Sequence, residues 1–253
     1  MPDTENDQVD RLQRVRRDIR QAPAQIRRLV ATDPQLVAVA AAGLIVSAAC
    51  SVVIAKLLDS VMGGGDDTEL DAHILDWVVQ HRTARLTGMA QAITHLADPL
   101  VVIVITAVVA GVLVRVRRPR LALLLVVCTL GTAALTTATK CAVDRARPPQ
   151  QLWLSTAAGP AFPSGHSAQA VACYGSLAVI GCAFLKRPAP RAGMIASAMV
   201  IGVLIGVSRV YLAVHWSSDV IARWSVASLW LCVLLLTACV TPRLRSAHRI
   251  PSA

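Results

Sequence analysis

The residues SRVYLAVHWSSD, 208–219, stand between two stretches of almost pure hydrocarbon, yet they carry an arginine, a histidine and an aspartate. Ionisable side chains at membrane depth cost about 2.5–3.5 kcal/mol each on insertion scales and concentrate where they line a polar, functional site. The plain alternative is a polar hinge between two helices, wetted at the interface. The rest of the chain decides between these two readings.

Of the 253 residues, 55% are hydrophobic and only 16% charged, against about 25% charged in ordinary soluble domains. The missing charge has been removed in blocks, and the 25 Lys+Arg and 15 Asp+Glu gather in the short segments between them. That is the composition of a multi-span helical membrane protein. The net charge of +10 does not point to nucleic acid, because a nucleic-acid-binding domain spreads its basic residues over a surface, and here they flank apolar runs. The seven cysteines form no CxxC pair, and all but Cys141 lie inside apolar runs. They read as small packing residues, with neither a disulfide framework nor a metal site expected.

Six apolar runs follow one another, at 36–58, 100–114 (starting a turn earlier, near Ala97), 121–139, 164–185, 192–212 and 218–240. At about 1.5 Å per residue such runs cross the hydrocarbon layer, and in lipid only a helix satisfies every backbone amide within a single segment. The expected fold is therefore all-α and polytopic, with six transmembrane helices over 36–241. Residues 1–35 form a basic cytoplasmic extension, in which DRLQRVRRDIRQAPAQIRRLV carries seven arginines suited to anionic headgroups, and 242–253 form a cytoplasmic tail.

The segments before the first run, RVRRPR, KRPAPR and PRLRSAHR alternate onto one face, whereas 59–99 carries seven acidic residues against Arg82 and Arg85. Positive charge stays on the cytoplasmic side. Both termini are thus expected in the cytoplasm, with the chain multi-pass in a plasma (inner) membrane. Within 69–98, Ile74, Leu75, Trp77, Val78 and Leu86 are spaced as on an amphipathic helix lying on the outer membrane surface.

The two remaining outer loops carry basic residues where the orientation rule would not put them. The loop that starts KCAVDRARP supplies Lys140, Arg145 and Arg147, and it ends PSGHS, with Ser164 and Gly165 leading into a helix and His166 in its first turn. The other supplies Arg209, His215 and Asp219. Singly, Arg209 can snorkel, Lys140 can anchor a helix end and His166 can cap one. Together, Lys140, Arg147, Ser164, Gly165, His166, Arg209, His215 and Asp219 converge on one membrane face. Lysine and arginine from separate helices suit a compact anion such as phosphate, and a helix N-terminus adds exposed amides. Two histidines divide naturally between attack on phosphorus and protonation of the leaving oxygen. Asp219, four residues after His215, shares its helix face and can hold its imidazole in one tautomer.

K-x6-R-P from Lys140 to Pro148, P-S-G-H from Pro163 to His166 and S-R-x5-H-x3-D from Ser208 to Asp219 together resemble the three-part signature of the type 2 phosphatidic acid phosphatase (PAP2) family. These integral membrane lipid phosphatases share a helical core with soluble vanadium haloperoxidases. The resemblance covers about residues 70–240. It implies a metal-independent phosphatase without a cofactor, in which His215 is the nucleophile, His166 the general acid and Asp219 the residue that orients His215. Lys140, Arg147, Ser164, Gly165 and Arg209 would bind the phosphate. The sequence setting agrees, since His215 has a nearby carboxylate and His166 has none. Arg223, four residues beyond Asp219, stands where the family often has glycine. It would contact the substrate headgroup or pair with Asp219.

The expectation is a six-helix lipid phosphatase acting at the extracytoplasmic surface on a lipid phosphate monoester or pyrophosphate. Undecaprenyl pyrophosphate, phosphatidylglycerophosphate and phosphatidic acid all fit. A lipid phosphotransferase with the same phosphohistidine is the nearest rival. A non-catalytic lipid-binding or transport protein is another, although it would be free to lose a histidine or the aspartate, and this chain has kept them.

Overall fold

The computed structural model describes residues 34–63, 66–142, 145–156 and 164–247. The basic extension and the end of the tail lie outside the described residues. Among the described residues there are eight helices: α1 (Pro34–Gly63), α2 (Asp66–Gln80), α3 (Ala84–Thr94), α4 (Pro99–Arg115), α5 (Pro119–Ala142), α6 (Gly165–Phe184), α7 (Pro188–Tyr211) and α8 (Ser217–Ala247). Short 3-10 turns cover His95–Ala97 and Gln150–Leu152. Among the described residues there is no strand. Two compact units divide the chain: the start of α1 up to Ile45 with the end of α8 from Leu235, and Val46–Leu234, which holds every residue of the site.

Among the described residues, five helices are long and apolar enough to cross a membrane alone, over Ala41–Ser60, Pro119–Thr139, Gly165–Phe184, Pro188–Tyr211 and Ser217–Ala238. The expected second span is different. α4 has only 17 residues and reaches spanning length only with Ala84–Ala97, from which it is bent by 46°. The cause is local. Pro99 occupies the first helical position, and Asp98 before it is extended, at φ −60 and ψ 141. Proline excludes the helical conformation from the residue that precedes it, so the helix breaks there and restarts. Taken as one span, this bent pair brings the number of candidate spans among the described residues to six.

The single surface helix expected within 69–98 is likewise replaced by two helices with different surroundings. α2 turns Asp71 and Leu75 inward and leaves Trp77 exposed. α3 packs against α7, with Ala90 and Thr94 buried; Thr83 caps it by accepting the Leu86 N–H at 3.2 Å. Its neighbour Ile93, with Ala97, Ala170 and Ile205, forms one apolar cluster that joins the bend to α6 and α7.

Small residues set the helix spacing, as is usual where lipid supplies no hydrophobic drive for association. α6 buries Ala168, Ala170, Ala172, Cys173 and Ser176. Gly206 on α7 lies so close to the Trp224 indole of α8 that an added Cβ would overlap the ring, whereas one at Gly202 would meet nothing within 4 Å. Gly206→Ala is therefore expected to lower the thermal unfolding temperature in detergent, at a cost of about 1–3 kcal/mol. Gly202→Ala on the same helix is expected to be neutral or to stabilise by about 0.5–1 kcal/mol. Equal melting of the two variants would contradict this packing.

Candidate active site

Four helix ends and one loop build the site. α5 runs from the arginine-rich turn at 115–120 towards the loop that carries Arg145 and Arg147, and α6 starts from that side with Ser164 as its N-cap. α7 returns to the same side and ends with Arg209 in its last turn. Its end is closed by two backbone bonds, Ala213 N–H to the Val210 carbonyl and Val214 N–H to the Arg209 carbonyl, with Ala213 left-handed at φ 54. Paired bonds of this kind around a left-handed residue form a Schellman stop. The reversal puts Val214 and His215 back over the helix end. Arg82 ties the same corner to the loop, donating to the Leu152 and Tyr211 carbonyls at 2.9 Å each.

The head of α8 is held by carboxylates. Asp71 of α2 accepts from the Ser218 N–H at 2.9 Å and from the Ser217 hydroxyl at 2.5 Å, and also from the Ser218 hydroxyl. It thus caps α8 from another helix, satisfying amides that a helix start leaves unpaired. Arg145 reaches Asp71 Oδ2 at 2.8 Å with one nitrogen and Asp219 Oδ1 at 2.6 Å with the other. Burial alone would raise the Asp71 pKa, but these hydroxyl, amide and guanidinium donors outweigh it and hold the group below the ordinary carboxylate value. Asp219 Oδ2 accepts the Trp216 N–H at 3.0 Å and lies 3.5 Å from His215 Nδ1.

His215 is buried, and its Nε2 lies 3.2 Å from the Arg147 guanidinium, which also donates to the Val214 carbonyl. Burial pushes its pKa down to about 4, the Arg147 and Arg209 charges push the same way, and Asp219 opposes them. At neutral pH the imidazole is therefore uncharged, with a lone pair available on one nitrogen. His166 meets a different carboxylate: its Nε2 donates to Asp98 Oδ1 at 3.0 Å. Arg209 donates to the Thr94 hydroxyl at 3.0 Å.

Arg147, Gly165, His166, Arg209 and His215 face one cavity of about 650 Å³, which continues between α4 and α5 along Val102, Ile103, Val126 and Leu130. One end offers arginines, a helix N-terminus and two imidazoles, and the other offers hydrocarbon. Such a cleft can hold an anionic head on an apolar tail. Among the described residues no cluster of three His, Cys, Asp or Glu side chains is placed to hold a metal ion, and the donor set suits an anion.

Most of the residues singled out in the sequence meet here. Asp219 stands behind His215, and the Ser164 hydroxyl is buried, accepting from Ser167 at 3.0 Å. Lys140 belongs to the last turns of α5, and its side chain lies outside the described residues, as does Pro163. Two expectations change. Arg223 is fully buried, does not line the cavity, and has no hydrogen-bond partner among the described residues, Asp219 included. One helical turn beyond Asp219 carries it into the bundle, away from any headgroup. His166 does have a carboxylate, from a segment 68 residues away in the chain. Asp98, Asp71 and the double role of Arg145 went unread. Asp98 and Asp71 counted only as outer charge, and Arg145 only as a basic residue on the unexpected face.

A model of the PAP2 superfamily matches residues 121–243. Phosphatidylglycerophosphatase B of Bacillus subtilis (strain 168) is 42% identical over 71 residues, which cover 27% of this chain and 34% of that protein. The chain thus aligns with about a third of the length of that relative. The crystal structure of the first transmembrane PAP2 type phosphatidylglycerolphosphate phosphatase from Bacillus subtilis superposes with a TM-score of 0.60 at 25% identity, covering 80% of this chain and 95% of that one.

Two outcomes test this geometry. Arg145→Ala leaves Asp71 and Asp219 buried without their shared cation, and is expected to cost about 3 kcal/mol or more in unfolding experiments; a cost under about 1 kcal/mol would contradict the network. Unfolded His215 takes up a proton near pH 6.5, and the folded group only near pH 4. The unfolded state thus binds more protons between those values, so stability falls as the pH drops from 6.5 towards 4. His215→Gln should show a shallower fall over that range; an identical pH dependence would show that His215 is not buried neutral.

Proposed function

We propose that the chain, which a PAP2 superfamily model matches over residues 121–243, is a membrane lipid phosphatase, metal-independent, that hydrolyses a lipid phosphate monoester or pyrophosphate through a phosphohistidine. The observation that carries this reading is the single cavity, in which two histidines and two arginines stand at the mouth of an apolar cleft. Phosphatidylglycerophosphate is the favoured substrate class, given the names of the similar proteins; phosphatidic acid and undecaprenyl pyrophosphate present the same terminal phosphate.

The phosphate lies between Arg147 and Arg209, against the amides at the start of α6, with Lys140 and the Ser164 turn completing the anion site. Asp219 holds the proton on His215 Nδ1, which leaves Nε2 to attack phosphorus in line with the ester oxygen. As the N–P bond forms, the P–O bond breaks and its electron pair goes to the leaving oxygen, which takes a proton from His166. Water then attacks the phosphohistidine and gives its proton to His166, and phosphate leaves with the N–P pair returned to His215. The guanidiniums offset the charge gathering on the phosphoryl oxygens throughout. The lipid tail lies in the cleft between α4 and α5, entering sideways from the bilayer. The arginine-rich turns at 115–120 and 186–191 sit at the helix ends away from the site. The reading therefore places both termini in the cytoplasm and the chemistry on the extracytoplasmic side.

The test is phosphate release in detergent and EDTA across a panel of lipid phosphates and pyrophosphates, by wild type and His215→Ala. Wild type is expected to be active, with a glycerol-linked phosphomonoester turned over fastest, and the variant slower by more than about 10³-fold. A variant as active as wild type would overturn the role of His215. Phosphate found on an added alcohol in place of water would make the protein a transferase.

A further inference from the structure

We propose that Asp98 is a positioning residue for His166, holding that histidine for its proton transfer much as Asp219 holds His215. The proposal rests on the phosphatase reading above, because it assigns a task within that reaction.

The geometry begins with the break in the helix. Pro99 forces Asp98 out of helical conformation, and the extended residue turns its carboxylate away from the backbone ladder of both helices. One oxygen meets His166 Nε2 at 3.0 Å. The other accepts from His95 Nδ1 at 2.6 Å, from within the 3-10 turn just before the break. Both oxygens are therefore engaged, and His95 fixes the carboxylate as Arg145 fixes Asp219. Exposure grades along the chain of contacts, from 69% at the His95 side chain through 36% at Asp98 to 23% at His166. His166 also lines the cavity, which Ala97 and Pro99 border on either side of Asp98.

The chemistry follows from which nitrogen is held. A carboxylate accepts only from N–H, so Asp98 fixes a proton on Nε2 and leaves Nδ1 as the nitrogen that exchanges a proton with substrate. The groups facing His166 are Asp98 and His95 from the bend and Arg209 from α7, with His215 and Arg147 across the cavity. Arg209 disfavours the imidazolium that a general acid needs. Asp98 favours it and stands on the opposite side of the balance. Without the carboxylate the ring would be free to turn.

Leaving-group dependence separates this role from a structural one. An alkyl phosphomonoester needs its leaving oxygen protonated, whereas 2,4-dinitrophenolate leaves without help. In Asp98→Asn, kcat for a lipid phosphomonoester should fall by about 10²-fold with KM little changed. The first-turnover burst of dinitrophenolate from 2,4-dinitrophenyl phosphate should stay within about threefold of wild type. Asp98→Glu should recover part of the loss. His95→Ala should fall between wild type and Asp98→Asn on the alkyl substrate. Equal loss on both substrates, or no loss on either, would overturn the proposal. If wild type itself releases neither product, the phosphatase reading fails and this assignment fails with it.

Discussion

One guanidinium between two buried carboxylates carries the architecture of the site. Arg145 lies within ion-pair distance of both Asp71 and Asp219, and those two carboxylates define where α8 starts and how His215 is backed. Two buried anions without a cation would be costly, and a buried arginine between only neutral groups would be as well. The three therefore come together or not at all. This ties the loop after α5 and the outer helix α2 to the first turn of α8. Those elements are distant in sequence. The second oxygen of Asp219 accepts the Trp216 amide at 3.0 Å, which keeps it 3.5 Å from the His215 ring, so the carboxylate cannot swing away from the histidine without also giving up that bond.

The broken span performs a related task on the opposite wall of the cavity. A continuous helix through Asp98 would direct its carboxylate along the helix surface. The Pro99 break instead exposes it at a bend of 46°, facing His166. The same break shortens α4, and Ala97 and Pro99 on either side of it line the cavity together with Val102 and Ile103. One proline thus bears on both the polar end of the cavity and the path of a lipid tail into it. The two histidines end up in comparable settings, each with a carboxylate and each within reach of an arginine field, although their carboxylates come from unrelated parts of the chain.

The spans were legible because lipid imposes long apolar runs. The clustering of His166, Arg209 and His215 was also legible, because helix ends on one face must meet. What stayed hidden has a common cause. Asp71, Asp98 and the bridge through Arg145 depend on contacts between elements 68 to 147 residues apart, and nothing in local periodicity encodes them. Arg223 misled for the opposite reason. Spacing placed it on the face of Asp219, but spacing does not say how deep into the bundle the next turn goes. The Asp98-Pro99 pair did carry a signal, since proline disfavours helix at the residue before it, but Asp98 counted only among the acidic residues of the outer segment.

Trapping the covalent intermediate tests the central claim most directly. Wild type and His166→Ala would be mixed with a lipid phosphomonoester or with 2,4-dinitrophenyl phosphate, quenched within milliseconds under alkaline conditions that preserve phosphohistidine, and mapped by mass spectrometry. The proposed reaction predicts a phosphoryl group on the peptide that contains His215, accumulating in His166→Ala with the dinitrophenyl ester, because loss of the proton acceptor slows the attack of water. A phosphoryl group on any other residue, or full turnover with no covalent species in either protein, would contradict it.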